Sequence, residues 1–248
     1  MCDTCGCNIT PGNAELSQGK AAIPVLEGLL RENDRAAAHN RAHLDAEGVL
    51  AINLMSSPGA GKTALLEATC MRLGLRTAVI EGDLETENDA RRLREKGIEA
   101  FQITTGNACH LDAHMVHRAL HHIDLQGLDI LFIENVGNLV CPASFDLGQH
   151  FNVTLLSVPE GDDKPAKYPV MFRAADLVLL SKADLLPILE EFSPRRAEAF
   201  LRQLANPAPF LPLSAKTGQG LEAWFAWIRE ALARHRRRMA PGTFVPVT

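Results

Sequence analysis

The chain has 248 residues and carries a formal net charge of −5 at pH 7. This acidic balance argues against a general affinity for nucleic acid or anionic membranes, and no apolar run approaches the ~20 residues that span a bilayer. The polar N-terminus contains no signal-peptide core, so we expect a cytoplasmic protein with reduced thiols. Neither nucleic acid nor a membrane is expected as a partner.

The composition defines four regions along the chain. Residues 1–12 are predicted to form a flexible, cysteine-rich leader that binds metal. Residues 13–47 are predicted to be helical, with an interruption at Pro24. Residues 48–235 are predicted to form one domain, and residues 236–248 an extended tail.

Strands and helices alternate through the main domain. Strands are predicted at 50–55, 77–81, 101–104, 129–134, 153–158, 177–180 and 210–213. Helices are predicted at 61–73, 86–96, 111–122, 194–205 and 219–235. This alternation indicates an α/β fold with three layers and a mainly parallel sheet, preceded by the leader and the N-terminal helical segment.

Three cysteines lie within the first seven residues, at Cys2, Cys5 and Cys7. Their thiolates can converge on one soft or borderline cation. If Met1 is removed, the terminal amine of Cys2 completes a donor set of one nitrogen and three sulfurs. That set suits square-planar Ni²⁺, although thiolates also bind Zn²⁺ and Cu(I). The alternatives are a disulfide, which the compartment disfavours, or an unused chain end.

A glycine-containing loop follows the first predicted strand and opens the next helix. Its backbone N–H groups can turn toward phosphate oxygens, Lys62 can reach the terminal phosphates, and the Thr63 hydroxyl is placed to hold Mg²⁺. Ser56 stands where the usual pattern has its first glycine. The loop predicts a P-loop NTPase fold, and its nucleotide-binding residues are Ser57, Pro58, Gly59, Ala60, Gly61, Lys62 and Thr63.

Two carboxylates at strand ends are candidates for the hydrolysis chemistry. Asp83 is a candidate for holding Mg²⁺ or positioning water, and Glu134 ends a strand that resembles a Walker-B strand. Gly137 follows closely, and its N–H could contact the γ-phosphate and be released on hydrolysis. Lys62, Asp83 and Glu134 are the candidate catalytic residues, and slow turnover is expected because no arginine finger can be assigned. An ordinary role for each carboxylate as a strand-end residue stays open.

Two later loops indicate which base is bound. Asp184 follows the strand at 177–180 and can accept two hydrogen bonds from the N1–H and N2–H₂ edge of guanine, while Lys182 can lie along the ring. Adenine offers no such pair of donors, so discrimination of about 10⁴-fold is expected. A second base loop is predicted at Ser214, Ala215 and Lys216. These loops favour GTP, although Lys-x-Asp after a strand can also be a helix cap.

A second set of metal donors is split along the chain. Cys109 and His110 follow the third strand, and Cys141 lies seven residues after Glu134. Folding could bring these donors together near the γ-phosphate, with a partner subunit, solvent or another residue completing the site. A further set shares helical spacing and is predicted to lie on one face, either as an auxiliary metal face or as a solvated surface. Its members are His110, His114, His117 and His121.

Together these motifs resemble those of the HypB family, the nickel-insertion GTPases of hydrogenase maturation. The resemblance covers nearly the whole chain. It is carried by Cys2-x-x-Cys5-Gly6-Cys7, the loop at 57–63, Glu81-Gly82-Asp83, Cys109-His110-Leu111-Asp112, the segment 134–142 and Ser181-Lys182-Ala183-Asp184.

The resemblance implies a GTPase domain that uses GTP and Mg²⁺ and passes Ni²⁺ toward the large subunit of [NiFe]-hydrogenase. It implies a homodimer that responds to nucleotide and metal, and a HypA-type zinc co-chaperone as partner. By the same resemblance, Cys2, Cys5 and Cys7 form the tight nickel site. A weaker Ni²⁺ or Zn²⁺ site beside the nucleotide and the dimer interface is implied at Cys109, His110 and Cys141. Some relatives hold a long histidine-rich storage tract, whereas residues 8–47 contain only His39 and His43.

Three alternatives remain. A related G-protein could insert nickel into urease or repair cobalamin enzymes, although the thiol leader favours the hydrogenase branch. A metal-buffering protein could use the nucleotide domain only for dimerisation. An ATP-driven enzyme is the third alternative.

Overall fold

The computed structural model describes residues 22–83, 88–106 and 108–239. The leader, with Cys2, Cys5 and Cys7, lies outside the described residues, as does the end of the chain after residue 239. The helices and strands, in chain order, are α1 Ala22–Ala46, β1 Leu50–Ser56, α2 Lys62–Arg72, β2 Thr77–Asp83, α3 Asn88–Glu95, β3 Glu99–Thr104, α4 Ala113–Leu120, β4 Ile130–Glu134, β5 Phe151–Ser157, α5 Lys164–Lys167, α6 Pro169–Arg173, β6 Leu177–Ser181, α7 Pro194–Gln203, β7 Phe210–Pro212 and α8 Leu221–Met239.

The strands form a seven-stranded sheet in the order β3-β2-β4-β1-β5-β6-β7, and every neighbouring pair is parallel. The predicted α/β fold with a mainly parallel sheet is confirmed. Because β1 lies in the middle of the sheet, its carboxyl end and the loop after it contact the segments that follow β4 and β6. Ligands of open α/β sheets bind at this carboxyl edge.

Alternation along β1 fills both faces of the sheet. Leu50, Ile52 and Leu54 are fully buried in a core that also contains α2 and α8, whereas Ala51 belongs to the core formed with α1 and α4. A strand covered on both faces has no polar side, which explains the continuous apolar runs. Within the described ranges, no helix combines the length and apolarity needed to cross a membrane.

The terminal helices differ from the prediction at their ends. Pro24 does not interrupt α1, which begins at Ala22. A proline in the first turn removes no helical hydrogen bond, because the N–H groups there have no partner within the helix. At the other end α8 continues to Met239, so the first residues of the predicted tail are helical. Arginine is a good helix former, and Arg236, Arg237 and Arg238 lie in the last turn, where positive charge is favourable.

The connection between β5 and β6 contains two elements that the sequence did not predict. The helices α5 and α6 have only four and five residues, too few to show helical periodicity. Lys164 of α5 and Tyr168, which joins the two helices, line a cavity described below.

Candidate nucleotide and metal site

The phosphate loop is held in shape by its own side chains. Gly59 and Gly61 have φ angles of +73° and +97°, which residues with a Cβ rarely adopt. The Lys62 ammonium is buried and donates a hydrogen bond to Ser56 Oγ at 3.0 Å. Ser56 therefore supplies a partner for the lysine, a role that its place in the motif did not suggest. These contacts and φ angles fix the conformation of the loop.

The carboxylate of Glu134 lies beside the start of α2. Thr63 Oγ1 donates to Glu134 Oε1 at 2.9 Å, and the second oxygen, Oε2, is buried without a hydrogen-bond partner. Burial raises the pKa of Glu134 to about 7, although Lys62 opposes that effect. Glu134 therefore has an unused oxygen next to the hydroxyl that the motif assigns to Mg²⁺.

Glu81 is a second buried carboxylate that the sequence analysis quoted without giving it a role. It pairs with Glu134 across β2 and β4 and is only 2 % exposed. Burial, and then the charges of Glu134 and Asp83, raise the pKa of Glu81 to about 8, and its Oε2 has no hydrogen-bond partner. The sequence did contain a signal for this pair, because a glutamate follows an apolar run both in β2 and in β4.

The oxygen atoms gathered here fit a magnesium ion. Mg²⁺ prefers oxygen ligands and is usually held by one or two carboxylates together with substrate phosphates. The hydroxyl of Thr63 and the unused oxygens of Glu134 and Glu81 offer that chemistry. Asp83 ends β2 and is half-buried at the same edge, next to residues 84–87, which are outside the described ranges.

The loops after β6 and β7 form a cavity of about 250 Å³ next to the phosphate loop. Ser181 Oγ donates to the carbonyl of Ala60, and Lys182 Nζ donates to the carbonyl of Gly59, both at 2.7 Å. These bonds hold the base loop against the phosphate loop. The predicted base-binding residues all line the cavity, namely Lys182, Asp184, Ser214, Ala215 and Lys216.

The structure brings together the split metal donors. One ligand atom from each of Cys109, His110 and Cys141 lies within 4.8 Å of the others. His110 is buried and stacks on Phe145 with ring centroids 3.9 Å apart. Burial lowers the pKa of His110, which favours the neutral imidazole that can bind a metal.

His110 does not share a helical face with the other histidines, contrary to the prediction. Asp112 Oδ1 accepts a hydrogen bond from the Met115 N–H at 2.7 Å and caps α4, which begins at Ala113. His110 therefore lies before the helix and points into the protein. His114 and His121 are exposed, and His117 is half-buried.

The segment after β4 contacts both the phosphate loop and the metal donors. The Asn138 backbone N–H donates to the Ser56 carbonyl at 2.8 Å, and its side-chain Nδ2 donates to the Cys109 carbonyl at 3.2 Å. A Cβ on Gly137 would lie 2.8 Å from Pro58 Cα, so only glycine fits there. A cavity of about 430 Å³ is lined by Ser57, Pro58, Gly137 and Cys109, among others. The two sites are therefore in physical contact.

The comparisons with known proteins agree with this architecture. The family model of the CobW/HypB/UreG nucleotide-binding domain matches residues 50–212. The chain is 51 % identical over 229 residues to the hydrogenase maturation factor HypB of Azotobacter chroococcum, covering 90 % of this chain and 74 % of that one. It is 48 % identical over 206 residues to the hydrogenase/urease maturation factor HypB of Helicobacter hepaticus, covering 82 % and 85 %.

Solved structures give the same result. The crystal structure of HypB from Helicobacter pylori in complex with nickel superposes with a TM-score of 0.79 at 43 % identity, covering 86 % of this chain and all of that one. HypB from Archaeoglobus fulgidus gives 0.76 at 40 % identity, covering 82 % and 100 %.

The parallel sheet, the phosphate loop and the matched domain together define a P-loop nucleotide-binding protein. Within that class, the chain belongs to the HypB family of hydrogenase maturation factors.

Proposed function

We propose that this protein is a GTP-hydrolysing nickel metallochaperone that delivers Ni²⁺ to the large subunit of [NiFe]-hydrogenase. The observation that carries the proposal is the position of Asn138, which bonds to the end of β1 and to the backbone of Cys109. A change in the phosphate loop can reach the metal donors through this one residue. The relatives named as hydrogenase maturation factors, one of them bound to nickel, support the choice of cargo.

In the hydrolysis step, each residue has a defined task. Backbone N–H groups of the loop bind the phosphates, and Lys62 exchanges its bond to Ser56 for one to the terminal phosphate. Thr63, Asp83 and Glu134 would hold Mg²⁺, which would neutralise charge on the phosphate oxygens. Gly137 approaches the loop closely enough to respond when the γ-phosphate leaves. No arginine is assigned to the transition state, so turnover is expected to be slow.

Guanine selection is assigned to Asp184. We expect Asp184→Asn to weaken GTP binding by at least about 100-fold, because an amide cannot accept both guanine N–H groups. The same variant should gain affinity for xanthosine triphosphate, since xanthine carries an oxygen where guanine has the 2-amino group. Nucleotide titration measures both, with Asp163→Asn as a control at an exposed carboxylate paired to Lys167. Unchanged GTP binding by Asp184→Asn would refute the guanine assignment.

The second metal site is proposed to be completed by another subunit. Cys109, His110 and Cys141 provide three donors, one fewer than a tetrahedral or planar ion needs. The neighbouring Val140 is a large apolar side chain that is 55 % exposed, which is consistent with an interface there. We therefore propose a homodimer that responds to nucleotide and metal, with Ni²⁺ or Zn²⁺ at this site. A HypA-type zinc protein is proposed as the co-chaperone.

The decisive experiment is a metal titration of the purified protein with GDP, with a non-hydrolysable GTP analogue and with no nucleotide. Molecular mass is measured in parallel. The proposal expects both nickel affinity and dimer content to depend on the nucleotide. If both are the same in all three states, the delivery function is contradicted and metal buffering becomes the better account.

Urease is a second candidate recipient, because one relative is named a hydrogenase/urease maturation factor. Deleting the gene and measuring both enzymes in the same cells separates the two. Loss of hydrogenase activity alone supports the first proposal, whereas loss of urease activity alone supports the second.

A further inference from the structure

Several histidines from two different helices meet on a surface outside the nucleotide site. The His117 ring lies 4.9 Å from that of His39 on α1 and 4.8 Å from that of His121 at the end of α4. We call these three residues the imidazole cluster. None of them contributes to the cavities at the carboxyl edge of the sheet described above.

A buried asparagine fixes which nitrogen of His117 carries the proton. Asn40 Nδ2 donates to the carbonyls of Ala113 and Leu147, at 2.8 and 3.1 Å, so its Oδ1 is left as an acceptor. That oxygen lies 3.0 Å from His117 Nδ1, which must therefore carry the hydrogen. The lone pair of His117 is consequently on Nε2. An N–H held by an amide oxygen on one side of the ring is the arrangement that orients histidines for binding a metal on the other side.

The lone pair on His117 Nε2 faces the Nε2 of a second imidazole, within hydrogen-bond distance. His117 Nε2 and His121 Nε2 are 3.3 Å apart. Two nitrogens bound to one tetrahedral ion at about 2.0–2.1 Å are separated by about 3.3–3.4 Å. The pair has i, i+4 spacing at the end of α4, so a chelate requires no movement of the backbone.

Burial and the neighbouring histidines favour the neutral form of His117, which can bind a metal. Partial burial, followed by His121, His39, His43 and His114, lowers the pKa of His117.

A second group of potential metal donors has no comparable imidazole lone pair to offer. Ligand atoms of Asp45, His150 and His235 lie within 4.8 Å of one another. However, His150 Nδ1 accepts the Ala51 N–H at 2.8 Å, so the ring hydrogen is on Nε2, which donates to Asp45 at 2.9 Å. That nitrogen has no lone pair to offer, because His150 is used in hydrogen bonds to Ala51 and Asp45.

We propose that His117 and His121 chelate one borderline divalent cation of the Ni²⁺ or Zn²⁺ class, with His39 as the nearest additional imidazole. The donors are nitrogens only, so the site holds such ions more loosely than the thiolate sites do. It exchanges metal at the surface, one short helix away from Cys109 and His110. The inference depends on neither GTP binding nor hydrogenase delivery.

Stoichiometry in the full-length protein provides the test. Wild type, the double variant His117→Gln/His121→Gln and the control His122→Gln are titrated with Ni²⁺ in the absence of nucleotide. His122 is a suitable control because it is exposed on the adjacent position and stacks on Phe101 instead. We expect the double variant to lose one equivalent of bound metal, or to bind it at least about tenfold more weakly, while the control matches wild type.

Spectra with Co²⁺ distinguish this equivalent from the thiolate sites. Cobalt bound by nitrogen alone gives d–d absorption without thiolate charge-transfer bands, and that component should disappear only in the double variant. The single variant His121→Gln, at an exposed position, repeats the test if the double variant folds poorly. Equal stoichiometry in all proteins, or thiolate bands on the missing equivalent, would overturn the proposal.

Discussion

The phosphate loop and the cysteine–histidine cluster share one edge of the sheet but differ in how completely the chain assembles them. Lys62 and Thr63 have hydrogen-bond partners at 3.0 and 2.9 Å within this chain. The donors at Cys109, His110 and Cys141 lie close together but are too few to close a coordination sphere. The chain itself builds the nucleotide side, which we call the prebuilt side. The proposed metal site needs a further ligand, and we call it the open side.

Replacing Lys62 should impair GTP hydrolysis on the prebuilt side without changing metal binding on the open side. We expect Lys62→Ala to reduce GTP hydrolysis by about 10³-fold, because it removes the positive charge closest to the transferred phosphate. Metal affinity measured without nucleotide should stay within about twofold of wild type, since the donors are untouched. Single-turnover hydrolysis and Ni²⁺ titration provide the two measurements, with Lys167→Ala as an exposed control. Normal hydrolysis in Lys62→Ala would remove this lysine from the mechanism.

The buried carboxylates of Glu81 and Glu134 on the nucleotide side make the free energy of unfolding depend on pH. Without nucleotide or Mg²⁺, the folded protein keeps a proton on Glu81 up to about pH 8, whereas the ordinary pKa is 4.5. Between these values the folded state binds more protons than the unfolded state, so the free energy of unfolding falls as pH rises, by at most about 1.4 kcal/mol per unit. Glu134 contributes in the same direction up to about pH 7.

Denaturant unfolding at pH 5.5, 7 and 8.5 measures that slope. Glu81→Gln should flatten it, and should unfold less readily than wild type at the highest pH, because an amide carries no charge to desolvate. Glu95→Gln, on the exposed surface, should leave the slope unchanged. A variant at Glu81 with the full wild-type slope would show that this carboxyl does not hold the proton.

Removing one thiolate tests the open side. We expect Cys141→Ser to weaken binding at the second metal site by roughly 100-fold, since a hydroxyl is a poor ligand for Ni²⁺ and Zn²⁺. GTP affinity should change by less than about twofold. Cys70→Ser in α2 is the matched control, because Cys70 is half-buried and packs against the core. Equal weakening by both variants would point to a loss of stability and not of a ligand.

The two sides also differ in how far the sequence could predict them. The phosphate loop is contiguous and its geometry follows from glycine and helix position, so the structure adds little beyond the role of Ser56. Glu81 was missed because its meaning arises from pairing with Glu134 across two strands that are distant in sequence. His110 was placed on a helix by spacing alone, whereas the Asp112 cap starts α4 after it. The tautomer of His117 was beyond sequence reasoning, because it depends on Asn40 and two backbone carbonyls from other elements.

Asn138 contacts both the prebuilt side and the open side, so replacing it gives the smallest expected effect but tests directly whether the two are coupled. Asn138→Ala keeps the backbone bond to Ser56 but removes two side-chain bonds, the one donated to the Cys109 carbonyl and the one accepted from the Val140 N–H. We expect GTP affinity and metal affinity, each measured alone, to stay within about twofold of wild type. The dependence of nickel affinity on nucleotide should shrink by about 1 kcal/mol, or roughly fivefold, a usual value for residues that couple two sites.

Titrations with GDP and with the GTP analogue measure this difference, and Asn88→Ala on the exposed surface of α3 is the control. Because linkage is reciprocal, the effect of bound nickel on GTP affinity should shrink by the same factor in this variant. If the nucleotide dependence survives intact in Asn138→Ala, the signal passes by another route, and the contact between the two sites is structural only.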